Sequence, residues 1–313
     1  MLNFERPAVI LTHESDLDGL VAGLLLQRLA RKLYGAEITL EAYHYTGWKM
    51  RDLKETAAWA TDFSFESRLD RSHWLVVDHH STNTTARYAR LIHDTSKSAG
   101  SLCYDLCVEA GIGSPKLERL VHLNNVADLF LQNDPDFELA IDYSSLIKIY
   151  GFWPMVGLIG SDLEKLIDHP LLEVMRVKRE IEDPIGFDWA VNHVTEITSG
   201  VCLVDAPIGN SNLIIHRMLE RKAVPHPVLI TALKKGNNHF VVSLRSKDGS
   251  ALKYAEKLQG GGHPNACGAT LPKSVRSISE AVQYMGDLFN PPTRHTKTDS
   301  GMEGLLEAFT KAI

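Results

Sequence analysis

The sequence predicts an α/β fold with two domains, the first of which contains a parallel sheet. In the first half of the chain, short apolar runs alternate with segments of helical periodicity, the pattern of parallel strands connected by helices. Acidic residues and histidines directly follow two of these runs, in the segments 13–19 and 78–80, as they do at the carboxyl edge of such a sheet. The chain has 313 residues, more than one hydrophobic core usually serves, so we expect a second domain.

The composition predicts a cytoplasmic protein that does not enter a membrane. Hydrophobic residues make up 44% of the chain, but no uninterrupted apolar stretch approaches the roughly 20 residues needed to cross a bilayer. The segment 1–10 lacks the charged start and long apolar centre of a secretory signal. The four cysteines are too few and too scattered for a disulfide framework, which predicts free thiols. The net charge of -6 argues against a broad cationic surface for long nucleic acids but allows a small basic pocket.

Four strands and three helices are predicted in the first half. The predicted strands are 8–12, 38–43, 57–61 and 74–77. The last of them is continuously apolar, as in a strand covered on both faces. Apolar residues at helical spacing predict a helix over 19–33. Ser98 is a suitable N-cap for a helix over 99–110, and Gly-Ile-Gly-Ser-Pro at 111–115 ends it and starts another from Lys116.

The second half is predicted to begin with helices and to continue as a smaller α/β domain. The pattern over 137–179 is mainly helical, and Asp-Pro-Ile-Gly at 183–186 interrupts it. The elements predicted beyond this interruption are strands at 201–204, 227–233 and 239–244 and helices at 212–219 and 251–258. The predicted organisation is a first domain, a linker and a second domain, over 1–185, 186–199 and 200–313. The polar segment 291–301 predicts a loose tail, and 305–313 a short helix.

Carboxylates and imidazoles at or after the predicted strands and helices form a candidate metal site. The candidates are His13, Asp16, Asp18, Asp62, Asp78, His79 and Asp128. Carboxylate oxygens suit Mn²⁺ and Mg²⁺, and imidazoles shift the preference toward Mn²⁺ or other first-row transition metals. Gly19 allows the backbone to approach closely where a helix begins. The set is large enough for two ions about 3.5 to 4 Å apart, which predicts phosphoester hydrolysis, because such a pair activates water and holds both the attacking and the leaving oxygen.

Each of these features also has a purely structural explanation. Asp-x-Asp-Gly on its own is typical of a turn or a helix cap, and lone aspartates such as Asp62 and Asp128 are typical of caps or solvated positions. His79 and His80 could be ordinary core or surface histidines, and the triple glycine at 260–262 could end a helix before a tight turn. The joint occurrence of these features in order along the chain favours the metal site.

The chain resembles the DHH phosphoesterases that carry a C-terminal DHHA1 domain. The resemblance rests on the segment 13–19, on Asp78-His79-His80, and on Gly-Gly-Gly-His-Pro-Asn-Ala-Cys-Gly at 260–268, preceded by Ser-Leu-Arg-Ser at 243–246. It covers most of the chain and implies a DHH domain, a smaller DHHA1 domain and a substrate cleft between them. The family includes RecJ-type single-strand exonucleases, nanoRNases that degrade short oligoribonucleotides and dephosphorylate phosphoadenosine phosphate, cyclic-dinucleotide phosphodiesterases, and pyrophosphatases or exopolyphosphatases.

The resemblance implies a manganese-dependent enzyme with two ions, for which Mg²⁺ or Co²⁺ could substitute. One ion would be held by His13, Asp16 and Asp18. The other would be completed by Asp62, His79 and Asp128, with Asp62 as the bridge between the ions.

The resemblance also implies which residues act on the substrate. Asp78 would orient His79, because a ligating imidazole normally donates its other N–H to a carboxylate or carbonyl. His80 would contact the scissile phosphate or stabilise its developing charge. In the second domain, Arg245 would clamp a phosphate in a bidentate manner, and backbone N–H groups of a glycine loop would assist it. The further substrate-binding residues implied there are Ser246, Gly261, Gly262 and His263.

The expected substrates are short oligonucleotides or related nucleotide phosphoesters. The chain lacks the extra oligonucleotide-binding modules of long RecJ-type enzymes, and its acidic balance agrees with a short substrate. Tyr43, Tyr45 and Trp48 could stack on bases or could pack in the core. His44 and Lys49 could contact phosphate.

Other functions remain open at this point. A RecJ-like single-strand exonuclease, a cyclic-dinucleotide phosphodiesterase, or a polyphosphate or pyrophosphate hydrolase would use the same metals. A non-enzymatic nucleotide-binding protein would keep the fold without turnover, although every expected ligand position holds a competent residue. No membrane partner is expected, and the sequence allows a homodimer.

Overall fold

The computed structural model describes residues 2–81, 85–235 and 239–290. The chain divides into two units, the first formed by Met1–Trp189 with Ala206–Ile214, the second by Ala190–Asp205 with Ile215–Ile313. Each unit contains its own sheet and helices, which confirms the predicted α/β class with two domains. Among the described residues, no helix is long and apolar enough to cross a membrane.

Five parallel strands form the sheet of the first unit. They are β1 (Val9–His13), β2 (Thr39–Tyr43), β3 (Trp59–Thr61), β4 (Leu75–Asp78) and β5 (Arg90–His93). Their spatial order is β2-β1-β3-β4-β5, and each neighbouring pair is parallel. The order reverses between β1 and β3, and open α/β sheets bind their ligands at the carboxyl ends of the strands beside such a reversal.

The first unit also contains most of the helices. They are α1 (Leu17–Tyr34), α2 (Tyr45–Met50), α3 (Ala99–Glu109), α4 (Pro115–Asp128), α5 (Phe137–Tyr150), α6 (Phe152–Ile159) and α7 (Leu171–Asn192), with 3-10 helices at Ser67–Leu69 and Leu163–Leu166. Ile10 and Val77 pack into a large core with the helices, whereas Leu11 and Val76 pack into a smaller core on the opposite face. The strands are continuously apolar because both faces of the sheet are covered.

The second unit is built on a mixed sheet of six strands. The strands are β6 (Val194–Thr198), β7 (Val201–Val204), β8 (Val228–Lys235), β9 (His239–Arg245), β10 (Gly261–His263) and β11 (Ala266–Thr270). Their order is β10-β11-β9-β8-β7-β6, with β7 and β8 parallel and the other neighbours antiparallel. The remaining helices are α8 (Ser211–Glu220), α9 (Ser250–Lys257) and α10 (Ile278–Phe289).

The predicted interruption at 183–186 is wrong, because α7 runs through it with Pro184 inside the helix. Asp183 accepts a hydrogen bond from the Asn210 backbone N at 2.8 Å, and a Cβ on Gly186 would lie 2.2 Å from the Ile208 carbonyl oxygen. The Asp-Pro-Ile-Gly sequence therefore serves close packing against the segment 208–210. The segment 186–199, predicted as a linker, holds the end of α7 and strand β6. The predicted tail at 291–301 and helix at 305–313 lie outside the described residues.

Candidate active site

The loop between β1 and α1 is held by local contacts that the Asp-x-Asp-Gly sequence makes possible. Asp16 caps α1, since its Oδ1 accepts a hydrogen bond from the Gly19 backbone N at 3.1 Å. A Cβ on Gly19 would lie only 2.0 Å from the His13 carbonyl oxygen, so only glycine fits there. The predicted close approach is confirmed, and the cap leaves the other carboxylate oxygen of Asp16 facing His13.

Three groups of possible metal ligands meet at the carboxyl ends of β1, β3 and β4. Within each group, the ligand atoms all lie within 4.8 Å of one another. The groups are His13 with Asp16 and Asp62, Asp18 with His79 and Asp128, and Asp62 with His79 and His80. The structure therefore brings together all six residues predicted as metal ligands, and adds His80.

The first group surrounds the imidazole of His13. Its Nδ1 lies 3.0 Å from Asp16 Oδ2 and 3.5 Å from Asp62 Oδ2. Burial alone would lower the pKa of His13, but the two carboxylates outweigh it and raise this pKa to about 11. Two carboxylates around one imidazole form a site that attracts a cation.

The second group surrounds the buried imidazole of His79. Its Nε2 lies 3.5 Å from Asp128 Oδ2, 3.5 Å from Asp62 Oδ1 and 3.7 Å from Asp18 Oδ2. Burial would lower the pKa of His79, but the three carboxylates raise it to about 10. Asp18 thus lies with His79 and Asp128, whereas the predicted grouping placed it with His13 and Asp16.

The position of Asp18 is explained by the start of α3. Asp18 Oδ2 accepts a hydrogen bond from the Ala99 backbone N at 2.8 Å, and its Oδ1 accepts from the Gly100 backbone N at 2.7 Å. The Asn124 side chain also donates to Asp18 Oδ1, at 2.6 Å. A Cβ on Gly100 would lie 2.6 Å from Asn124 Nδ2 and 2.9 Å from Asp18 Oδ1. Sequence reasoning assigned no role in the site to Gly100 or Asn124; the only local signal is that Asn124 and Asp128 lie four residues apart on one face of α4.

Asp62 connects the two main groups. It is buried, directly follows β3, and faces His13 with one carboxylate oxygen and His79 with the other. Its backbone is left-handed, with φ of 58°, a conformation that side chains other than glycine adopt at a cost and that concentrates at functional sites. Burial would raise the pKa of Asp62, but the imidazoles of His13 and His79 hold it below its ordinary value.

Asp78 contacts His80, and its role in orienting His79 stays a prediction. His80 Nδ1 lies 2.8 Å from Asp78 Oδ1, which also accepts a hydrogen bond from the His80 backbone N at 3.0 Å. The other oxygen, Oδ2, accepts from the Phe65 backbone N at 2.9 Å. Burial would lower the pKa of His80, but Asp78 outweighs burial and raises it. Asp78 ends β4, so its contacts fix His80 directly beyond the end of the strand.

The charges of the two groups fit divalent cations. The buried Oδ2 atoms of Asp62 and Asp128 accept no hydrogen bond within the described part of the chain. Burial, followed by the charge of Asp62, raises the pKa of Asp18 to about 6. Burial and Asp18 also raise the pKa of Asp128 well above its ordinary value. Buried carboxylates crowded in this way need positive charge, and divalent metal ions held by these residues would supply it.

One further group of similar residues lies elsewhere in the first unit. It contains His122, Asp134 and Asp136. Arg119 already pairs with Asp136, so a metal ion there would face a guanidinium group.

In the second unit, Arg245 is half-buried at the end of β9. Its Nη1 donates hydrogen bonds to the Leu244 carbonyl at 3.0 Å and to the Cys267 carbonyl at 3.5 Å. No carboxylate of the described residues forms a salt bridge with it, and burial lowers its pKa. A guanidinium without an acidic partner suits an anion such as phosphate.

The other residues predicted to bind substrate have structural contacts of their own. Ser246 is buried, accepts a hydrogen bond from the Ala251 backbone N at 3.0 Å, and donates to Asn265 Oδ1 at 3.2 Å. Gly261, Gly262 and His263 form strand β10, paired with β11, where a loop was predicted. Glycine is needed at 262, where φ is +136° and a Cβ would lie 2.6 Å from the Ala266 carbonyl oxygen.

Comparison with known proteins agrees with this architecture. The family model of the DHHA1 domain matches residues 204–290. No curated protein matches the chain significantly in sequence. Among solved structures, the pGpG-specific phosphodiesterase PggH from Vibrio cholerae is similar, with a TM-score of 0.51 and 13% identity over 90% of this chain and 97% of that one.

Two other structures share the fold. The DHH domain of a protein described as a member of a family of ribosomal proteins gives a TM-score of 0.57 and 16% identity, over 90% of this chain and 85% of that one. RecJ from Thermus thermophilus, solved in complex with Mn²⁺, gives a TM-score of 0.51 and 16% identity, over 90% of this chain and 52% of RecJ. At these identities, the likeness shows the fold.

Proposed function

We propose that the chain, which contains a DHHA1 domain, is a metal-dependent phosphoesterase of the DHH/DHHA1 family, and that it hydrolyses short oligonucleotides or related nucleotide phosphoesters with two manganese ions. The observation that carries the proposal is the position of Asp62, which belongs to two of the three ligand groups and faces His13 with one carboxylate oxygen and His79 with the other. A carboxylate shared in this way would hold two ions close enough to act on one phosphate.

The ligand types favour manganese. Carboxylate oxygens alone would suit Mg²⁺ or Ca²⁺, whereas a mixed set of carboxylates and imidazoles favours Mn²⁺ and other first-row ions. Mg²⁺ and Co²⁺ would be weaker substitutes. The similar RecJ structure contains Mn²⁺, which agrees with this choice.

In this proposal, different residues bind the metal ions, stabilise the developing charge and bind the substrate. His13, Asp16, Asp18, Asp62, His79 and Asp128 would hold the ions. The chemistry that two such ions supply is polarisation of the phosphate and activation of the attacking water. His80, oriented by Asp78 and made more basic by it, would donate a hydrogen bond to a phosphate oxygen and stabilise the charge that develops there. Arg245 would bind a phosphate of the same substrate.

One observation supports a short nucleotide substrate. PggH is described as specific for pGpG, a dinucleotide, and this chain spans 97% of its length.

The proposal is tested by hydrolysis with purified protein and Mn²⁺. The substrates are an RNA dinucleotide, a longer single strand, phosphoadenosine phosphate, a cyclic dinucleotide and tripolyphosphate. We expect the dinucleotide to give the highest kcat/KM, with activity abolished by a chelator and by the variant Asp62→Asn. His122→Gln, in the ligand group that Arg119 blocks, is the matched control and should retain activity. Preference for another substrate would replace the substrate part of the proposal, and absence of metal-dependent turnover on all five would overturn it.

A further inference from the structure

The segment 43–45 is tied to the loop that carries the metal-binding residues. Tyr43 ends β2 and pairs with His13 in the parallel sheet, and its carbonyl accepts a hydrogen bond from the Glu14 backbone N at 3.1 Å. His44 Nδ1 lies 2.7 Å from Ser15 Oγ, and its Nε2 lies 3.6 Å from Glu14 Oε2. The start of α2 is therefore fixed beside His13 and Asp16.

The distance from this segment to the metal-binding residues is short. Neighbouring strands are about 4.8 Å apart, and Tyr45 lies two residues beyond Tyr43, each step being about 3.8 Å. The Cα atom of Tyr45 is thus no more than about 12 Å from that of His13. This distance is short enough for one nucleotide to have its phosphate at the His13 group and its base at Tyr45.

Of the three aromatic residues that could stack on a base, only Tyr45 is available. Trp48 is buried, with its ring stacked on Phe63 at a centroid distance of 3.9 Å. Tyr43 is half-buried, and its hydroxyl donates to Glu41 at 2.5 Å. Tyr45, by contrast, is 60% exposed.

Lys49 completes the surface around Tyr45. Its Nζ lies 4.3 Å from the centre of the Tyr45 ring, so it covers one ring face. More than half of Tyr45 is nevertheless exposed, so the residue is accessible to a ligand. In the described part of the chain, Lys49 forms no salt bridge, so its charge is available to a phosphate.

We infer that Tyr45 and Lys49 form a binding site for one nucleobase and its neighbouring phosphate, which makes the enzyme select nucleotides over phosphate chains that carry no base. The inference rests on the proposed phosphodiesterase function and specifies its substrate recognition. The base stacks on the face of the Tyr45 ring that Lys49 does not cover, and the ammonium group of Lys49 pairs with a phosphate oxygen. Tyrosine suits this role because stacking tolerates any base.

The experiment compares an RNA dinucleotide with an abasic dinucleotide that has the same phosphodiester and no bases. Stacking on an aromatic side chain contributes about 1 to 3 kcal/mol per base, which corresponds to about 5- to 150-fold. We therefore expect Tyr45→Ala to reduce the preference for the dinucleotide over the abasic analogue, measured as a ratio of kcat/KM values, by about this factor. Tyr45→Phe should retain the preference, and Lys49→Gln should raise the KM of both substrates.

The chain offers a matched control in Tyr88. It is 58% exposed and has the Arg87 guanidinium 5.2 Å above its ring, but it precedes β5 and so lies at the opposite edge of the sheet. Tyr88→Ala should leave both substrates unaffected. An unchanged preference in Tyr45→Ala, or an equal loss for both substrates, would overturn the inference.

Failure of the proposed function is a separate outcome. If the wild-type protein does not hydrolyse the dinucleotide, equilibrium binding of a fluorescent dinucleotide to the wild type and to Tyr45→Ala still decides the inference. Equal affinities would overturn it, and a loss of about 5- to 150-fold would support it.

Discussion

At the scale of single residues, Asp62 combines two unfavourable features in one position. Its carboxylate is buried between two imidazoles, and its backbone is left-handed, which costs a residue other than glycine about 1 to 3 kcal/mol. Asparagine tolerates the left-handed region better than most residues, so Asp62→Asn removes the charge and keeps the backbone and the side-chain size.

We expect Asp62→Asn to reduce turnover at least about 100-fold and to reduce the number of Mn²⁺ ions bound per chain, because even groups that only support a ligand contribute about 10- to 100-fold. Turnover and calorimetric titration with Mn²⁺ measure the two effects. Asp168 is the matched control, since it is an exposed aspartate with φ of 57° outside the site, and Asp168→Asn should change neither. Full activity in Asp62→Asn would show that this carboxylate does not bridge the ions.

The raised pKa values of His13 and His79 predict that metal binding releases protons. Without metal, the pKa of His13 is about 11 and that of His79 about 10, so both are protonated at pH 7. A ligating imidazole must be neutral, so each Mn²⁺ that binds must displace a proton. The affinity for Mn²⁺ should therefore rise with pH between about 6 and 8, and titrations in buffers of different ionisation enthalpy should show proton release, to which the two imidazoles contribute up to two protons. His13→Gln should release one proton fewer, and an affinity independent of pH in this range would contradict the prediction.

At the scale of elements, the start of α3 determines where Asp18 lies. The first two backbone N–H groups of this helix donate to the Asp18 carboxylate, and Gly100 leaves room for Asp18 and Asn124 to meet. Added volume in such a packed place typically costs about 1 to 3 kcal/mol. Gly100→Ala should lower the free energy of unfolding by about this amount and should also weaken Mn²⁺ binding, because the carboxylate of Asp18 must move.

Gly157 provides the comparison for Gly100→Ala. It also lies inside a helix, α6, but a Cβ there would meet nothing within 4 Å. Gly157→Ala should therefore be neutral or stabilising by up to about 1 kcal/mol, since alanine favours helix. Urea unfolding of both variants measures the difference, and an equal effect in the two would mean that the contact between Gly100 and Asp18 is not tight.

The difference between local and distant signals explains how far the sequence alone could predict this site. The cap at Ser98 and the helix start at Pro115 depend on residues within three positions, and both helices were predicted correctly. The bonds from Gly100 and Asn124 to Asp18 join residues 82 and 106 positions apart, and no periodicity reports such contacts. The sequence predicts a loop at the glycines before His263, because the pairing of Gly261 and Gly262 with β11 is equally invisible in the segment itself.

At the scale of the whole molecule, two α/β units with separate cores could be predicted because hydrophobic periodicity repeats along each of them. The extent of the units was harder to predict, since α7 continues through Pro184 and the segment 206–214 returns to the first unit. The segment 206–214 belongs to the first unit because Asp183 and Gly186 contact the segment 208–210. The hydrogen bond between Asp183 and Asn210 joins residues 27 positions apart. Proline and glycine therefore mark the end of a helix only where no other segment packs against them as 208–210 does here.

Arg245 belongs to the second unit, and a variant at this residue tests its proposed role in binding a phosphate of the substrate. Hydrogen bonds to a charged partner contribute about 1.5 to 3 kcal/mol, so Arg245→Ala should raise KM for the dinucleotide about 10- to 150-fold with little change in kcat. The KM of Arg245→Lys should lie between those of the wild type and Arg245→Ala, because lysine keeps the charge but not the bidentate geometry. Arg276→Ala, at an exposed arginine of the same unit, should behave as wild type. An unchanged KM in Arg245→Ala would remove Arg245 from substrate binding, whereas a loss of kcat at constant KM would mean that this guanidinium acts only in the transition state.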